Sequence, residues 1–178
     1  MAVFTSAKSS TSNNRAAVEK ARSMVLTTTN AGFLSMTLNM LESIRRFKTA
    51  SFPNVTVITE DQQSYDYLAK KTEIYPFLIV QKTNGELTTS QRLLVGRSNY
   101  NQFVRRRPRY ILQFLESGFE VLFADADTFW VRDPFKDFEG DFDIAAHNEV
   151  DPPRKPVFCD GFTYYRPTEN TFRLIQIS

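Results

Sequence analysis

Residues 121–135 read VLFADADTFWVRDPF, and the first seven of them decide the fold. Val121, Leu122, Phe123 and Ala124 form a continuous apolar run of strand length, as a strand buried on both faces requires. The run stops abruptly at Asp125-Ala126-Asp127. A buried strand that gives way to two carboxylates puts them at the carboxyl edge of a sheet, where open α/β folds bind their ligands. Residues two apart on an extended chain project to the same side, so both side chains can converge on one point. Paired carboxylates repel unless something positive lies between them, and a hard divalent cation such as Mn2+ or Mg2+ prefers carboxylate and phosphate oxygens. Asp125 and Asp127 are therefore the candidate metal ligands. A cation held there could bridge the two phosphates of a diphosphate and stabilise charge that builds on them.

The spacing alone carries little weight. Ten aspartates in 178 residues give roughly 0.5 Asp-x-Asp pairs by chance, and a second copy is present at Asp141-Phe142-Asp143. That copy follows Glu139-Gly140 and precedes its apolar run, so it reads as an exposed strand entrance. The strand in front of Asp125 is what separates the two.

Working outward, Met24, Val25 and Leu26 lead into Thr27, Thr28 and Thr29, a β-branched run closed by Asn30, Ala31 and Gly32. This reads as a buried strand and its turn. Phe33, Met36, Met40, Ile44 and Phe47 recur at intervals of three and four, the period of an amphipathic helix. Val55 to Ile58 predict a second strand, and Thr59 with Gln62 fits a capping box that opens a helix through Tyr65, Leu68 and Ala69. Strand, helix, strand, helix implies a parallel sheet with crossover helices. Tyr75 to Val80 predict a short strand and Asn84-Gly85 a turn. Between Asn99 and Glu116, Phe103, Ile111, Phe114 and Leu115 support helix, which Pro108 breaks or restarts and Ser117-Gly118 ends. Further strands are predicted at Phe142–Ala146 and Phe162–Tyr165, and a helix capped by Thr168 runs from Glu169 to where the sequence stops. Residues 1–22, rich in Ser, Thr, Asn and Ala, lack apolar periodicity and predict a disordered tail, leaving 23–178 as one domain.

Bulk composition narrows the class. A chain with 42% hydrophobic and 13% aromatic residues has enough apolar material for a buried core. Its 22 basic and 20 acidic residues leave a net charge of +2, too little for an extended field that would hold nucleic acid. The single cysteine, Cys159, excludes an intramolecular disulfide and a thiolate cluster from this chain alone. No apolar run approaches the roughly 20 residues that span a bilayer.

Three motifs in order resemble the nucleotide-diphospho-sugar transferases of glycosyltransferase-A type, in particular the family of plant xylosyl- and arabinosyltransferases. MVLTTTNAGFLSMTLNMLESIRR resembles that family's opening strand and helix, RRRPRYILQFLESGFEVLFADADTFWVRDP its central block, and FCDGFTYYRPTENTFRLI its Gly-Phe and Arg-Pro-Thr block. The likeness covers about residues 23 to 178 and implies an α/β, Rossmann-like three-layer fold with a mixed, mostly parallel sheet. It implies a metal-dependent glycosyltransferase that moves a sugar from a nucleotide diphosphate, UDP first, to a hydroxyl on a glycan or glycoprotein with retention of configuration. It also implies a Golgi-lumen setting with a single N-terminal anchor, although no anchor is present in this chain.

Carried over by position, the pattern has Asp127 ligating the cation directly, with Asp125 assisting it or contacting the donor ribose. Thr28, Thr29 and Asn30 would flank the nucleoside; ordinary capping of a strand end is the plain alternative. Arg107 would face the donor phosphates or ribose, or else lie on a solvated helix face with Arg105, Arg106 and Arg109. Asp160 and Gly161 would lie beside the donor sugar, where many relatives carry Asn-x-Gly-Phe and this chain has Cys159-Asp160-Gly161-Phe162. Cys159 and His147 read as structural. Two rival readings remain: a haloacid-dehalogenase-like phosphatase, whose motif belongs near the start of its fold, and a donor-binding domain that transfers nothing.

Overall fold

The computed structural model describes residues 22–83, 91–94, 96–150, 155 and 157–177. Its strands are β1 (Arg22–Thr29), β2 (Val55–Thr59), β3 (Leu78–Lys82), β4 (Phe119–Ala124), β5 (Ile144–Asn148) and β6 (Phe158–Tyr165). The helices are α1 (Leu34–Phe47), α2 (Gln62–Ala69), α3 (Ser98–Arg105), α4 (Arg107–Glu116) and α5 (Glu169–Ile177). One six-stranded sheet runs in the order β3-β2-β1-β4-β6-β5. The first four strands are mutually parallel, and β6 lies antiparallel to both β4 and β5. The expected mixed, mostly parallel sheet is the one observed.

Alternation along the central strands builds two cores. Val25, Leu122 and Ala124 face α1, where they pack with Met40, Leu41, Ile44 and Trp130. Leu26, Val121 and Phe123 face the other way, against Ile111 and Leu115 of α4 and Ile175 of α5. Leu26 and Phe123 are fully buried, and truncating either to alanine should cost about 2–5 kcal/mol. Helices on both faces thus hold β1 and β4 rigidly, and the ends of those strands carry the candidate site.

Pro108 does restart the helix: it lies in the first turn of α4, directly after α3. Gly118 closes α4 at φ +80°, a conformation that disfavours a side chain. Two local expectations shift. The cap of α2 is Asp61, whose side chain accepts from Ser64 N, whereas Thr59 ends β2 and donates to the Gln81 carbonyl. A strand residue already committed to the ladder cannot also cap the next helix. β3 starts at Leu78, because Leu78 N bonds back to Tyr75 O in a turn. The Asn84-Gly85 turn lies outside the described residues, as does the predicted tail up to residue 21; β1 begins at Arg22. No helix among the described residues is long and apolar enough to cross a membrane.

Candidate functional site

Asp125 leaves β4 with its backbone N–H still in the ladder, donating to Gly161 O of β6 at 2.7 Å. Its own carbonyl accepts from both Thr128 N (3.1 Å) and Thr128 Oγ1 (2.9 Å), which folds residues 125–128 into a tight turn. Trp130 locks that turn from behind: Nε1 donates to Thr128 Oγ1, and the backbone N–H donates to Ser43 Oγ of α1. The Trp130 ring meets Phe162 edge-on at 5.5 Å. Ala126 is buried and Asp127 is exposed. The turn therefore offers Asp127 to solvent while it holds Asp125 against the protein.

Arg107, the first residue of α4, is buried and faces inward. Its Nη2 lies 2.7 Å from Asp125 Oδ1 and its guanidinium sits over the Phe123 ring at 5.2 Å. The buried Nε has no hydrogen-bond partner among the described residues. Even with this partner, the Asp125 carboxyl is pushed up to about 6. Burial is the main cause, Arg107 pulls the other way, and the charges of Asp127 and Asp160 add to the rise. More negative charge is gathered here than the protein's own cation offsets, and a bound cation would correct that imbalance.

Gly161 keeps the space beside the carboxylate open. A Cβ there would fall 2.5 Å from Asp125 Oδ2, so any side chain would displace the group. Asp125 and Asp127 fit a divalent cation through hard oxygen donors. No group of three or more His, Cys, Asp or Glu that could hold a metal ion is found among the described residues.

The pair opens on a cleft of about 300 Å³. One end is charged, with Arg107, Asp125, Asp127 and the Thr28 side of β1; the other is apolar, with Phe33, Met36, Leu93, Tyr100 and Phe103, and with Arg92 beside it. Two contacts clamp the 91–94 segment in place as its wall. Asn30 Nδ2 donates to Gln91 O at 3.0 Å. Gly32 lies so close that a Cβ would sit 2.3 Å from Arg92 N, a gap only glycine leaves. Asp61 fixes the same turn from the other side by accepting from Ala31 N at 2.7 Å.

The predicted residues divide accordingly. Thr28, Arg107, Asp125 and Asp127 line the cleft. Thr29 turns away, its Oγ1 2.7 Å from Thr37 Oγ1 in α1, and Asn30 supports the wall from a buried position. Gly161 abuts Asp125, but Asp160 is exposed and lines a separate crevice of about 800 Å³, with Arg107 as the partition. His147 pairs with Cys159 across β5 and β6, and burial raises the Cys159 thiol, against a nucleophilic thiolate. Sequence reasoning missed the apolar end of the cleft and Arg92, because nothing local links residues 91–103 to the turn after β1.

Helices on both faces of a mostly parallel sheet, with a carboxylate pair past the end of a central strand, define an α/β protein of glycosyltransferase-A type. The nucleotide-diphospho-sugar transferase family matches residues 50–177, and the chain belongs to it. It is 29% identical over 175 residues to UDP-D-xylose:L-fucose alpha-1,3-D-xylosyltransferase 1 of Arabidopsis thaliana, covering 89% of this chain and 46% of that protein. It is 25% identical to the UDP-galactose:fucoside alpha-3-galactosyltransferase of Dictyostelium discoideum, covering 84% of this chain and 27% of that one. Among solved structures, the glycosyltransferase GlyE of Streptococcus pneumoniae TIGR4 shares the fold with a TM-score of 0.56 at 13% identity, over 89% of this chain and 37% of that one. The WbbM bifunctional glycosyltransferase does so with a TM-score of 0.59 at 15% identity, over 91% and 35%. The chain spans less than half the length of each of these proteins.

Proposed function

We propose that the cleft binds a UDP-sugar together with Mn2+ or Mg2+, and that the protein transfers the sugar to a hydroxyl of a glycan or glycoprotein. The carrying observation is the pairing of Arg107 with a raised, half-buried Asp125 beside an exposed Asp127 at the mouth of one cleft. When bound, the cation would neutralise the charge that develops on the diphosphate as the glycosidic bond breaks. Asp127, the more open of the two carboxylates, is its direct ligand in this reading. Asp125, oriented by Arg107 and given room by Gly161, assists or reaches the ribose. The apolar end of the cleft takes the base, with Arg92 beside it.

Asp125 and Asp127 are the only acidic residues among the described residues that line the cleft. In this reading catalysis comes mainly from leaving-group stabilisation and positioning rather than from a strong nucleophile. The named relatives use UDP-xylose or UDP-galactose with fucose or a fucoside, so these donors and a fucosyl acceptor are the first to assay. Kinship with those enzymes also supports a Golgi-lumen location, which microscopy of the tagged protein in its source cells would check.

Calorimetric titration of UDP with and without Mn2+ tests donor binding, and hydrolysis of UDP-xylose and UDP-galactose tests turnover. Cation-dependent UDP affinity is expected; equal affinity with and without the cation would sink the metal reading. A second reading, binding without transfer, draws on the lack of a third His, Cys, Asp or Glu beside the pair among the described residues. It predicts cation-dependent affinity with no turnover of any donor.

A further inference from the structure

A small pocket of about 150 Å³ lies between α4 and the carboxyl ends of β2 and β3, distinct from the donor cleft. Lys82, Arg106 and Arg109 line it, together with Gln81, Gln113 and Tyr110. We propose that it binds a tetrahedral oxyanion, a phosphate or sulfate group, and this site does not depend on the donor reading.

Charge balance carries the proposal. Among the described residues, the one acidic group paired with these cations is Glu60, which is fully buried. Its two oxygens are both engaged, Oε2 by Arg106 Nη1 at 2.5 Å and Oε1 by the Tyr110 hydroxyl at 2.6 Å. Since the Tyr110 proton goes to Glu60, the 2.7 Å contact between Tyr110 and Thr83 must have the Thr83 hydroxyl as donor. Burial and the Glu60 contact hold Tyr110 up at about 12, so it stays a protonated donor. Lys82 reaches only a neutral partner, Gln62 Oε1 at 2.5 Å, and Arg109 has no ion pair among the described residues. Among the described residues, three cations against one carboxylate leave an excess of two positive charges around one cavity, in a chain whose whole net charge is +2.

Geometry agrees with charge. Glu60 fixes Arg106 as a pre-set prong, with guanidinium N–H groups to spare. Arg106 and Arg109 lie three residues apart at the start of α4, on one side of the helix. At ~30 Å³ per water, the pocket has room for about five waters, which suits one compact group and not a nucleotide.

The test is a thermal-shift titration with inorganic phosphate and with sulfate against sodium chloride at equal ionic strength. The wild type, Arg92→Gln and the double variant Lys82→Gln/Arg109→Gln are compared, with Lys82→Gln alone as a milder second variant. Both replaced side chains are exposed, so the double variant's melting point in chloride should stay near wild type. Expected is a saturable rise with phosphate or sulfate in the wild type and in Arg92→Gln, with apparent affinity about tenfold weaker in the double variant. Glucose 6-phosphate and galactose 6-sulfate, titrated alongside, distinguish the sources. Tighter binding of the esters assigns the pocket to a modified glycan or metabolite, and tighter binding of the inorganic ions assigns it to the free anion. Superposition on the chloride curve would overturn the proposal. So would a shift that survives the double variant, or one lost in Arg92→Gln instead.

Discussion

Two Asp-x-Asp segments with the same spacing stand at opposite edges of one sheet. Asp125 and Asp127 follow the carboxyl end of β4, whereas Asp141 and Asp143 precede the amino end of β5, a strand that runs the same way. At the amino edge Asp143 is absorbed into structure: its Oδ2 accepts from Asn170 Nδ2 at 2.9 Å, and its carbonyl accepts from Arg166 N at 2.9 Å. At the carboxyl edge a buried arginine and two further acidic groups surround Asp125, and a cleft opens beside it. Strand polarity, and not the motif, separates the two pairs.

The sharpest break of that contrast is a pairwise exchange of carboxylates for amides. Asp125→Asn/Asp127→Asn should weaken Mn2+-dependent UDP binding about 100-fold or more by calorimetry. Asp141→Asn/Asp143→Asn should leave it within about twofold. Comparable losses from both pairs would refute the assignment by strand edge.

A substitution that spares every carboxylate separates the wall from the cation. Gly32→Ala forces Arg92 and its backbone to move, at a cost of about 2 kcal/mol read by denaturant unfolding. It should also weaken UDP whether or not Mn2+ is present. Gly161→Ala pushes on Asp125 Oδ2 alone, and should cost about tenfold, confined to the cation-dependent part of binding. An equal loss without Mn2+ would place Asp125 outside the metal's reach.

The smallest effect is on stability against pH. Asp125 is raised from 3.8 to about 6 in the fold, so the folded protein holds a proton that the unfolded chain releases between these values. The contribution of this group to stability should therefore be fully present below about pH 4, fall as pH rises through 4–6, and be lost above. The drop attributable to this group is on the order of 1–2 kcal/mol once solvent on its outer side is allowed for. Subtracting the Asp125→Asn curve from wild type isolates it, and a flat difference across that window would contradict the raised value.

Much of this was legible in the sequence because its causes are local. An apolar run that ends in Asp125, a proline inside a helical period and a glycine after Ser117 act over a few residues, and β4, the α3–α4 junction and the close of α4 fall where they predict. What the sequence left out depends on distant partners. The family resemblance singles out Arg107 from four nearby arginines but leaves a solvated helix face as its alternative; its 2.7 Å contact with Asp125, across the joined cores of α4 and β4, decides between the two. Thr28 and Thr29 look alike in the chain, yet pleat alternation sends one to the cleft and the other to Thr37. Asp61 outcompeted Thr59 as a cap because β2 runs one residue further than its apolar core suggests.

The bond from Asn30 to Gln91 spans 61 positions of chain, and with the Gly32 contact it joins the two lips of the cleft. A cavity closed over so long a loop exists only while the intervening segments are folded, so whatever fills it draws on the cooperativity of the domain. Occupancy should then slow amide exchange in α1 and residues 91–94 together, as one opening unit, and not merely at the atoms the ligand touches.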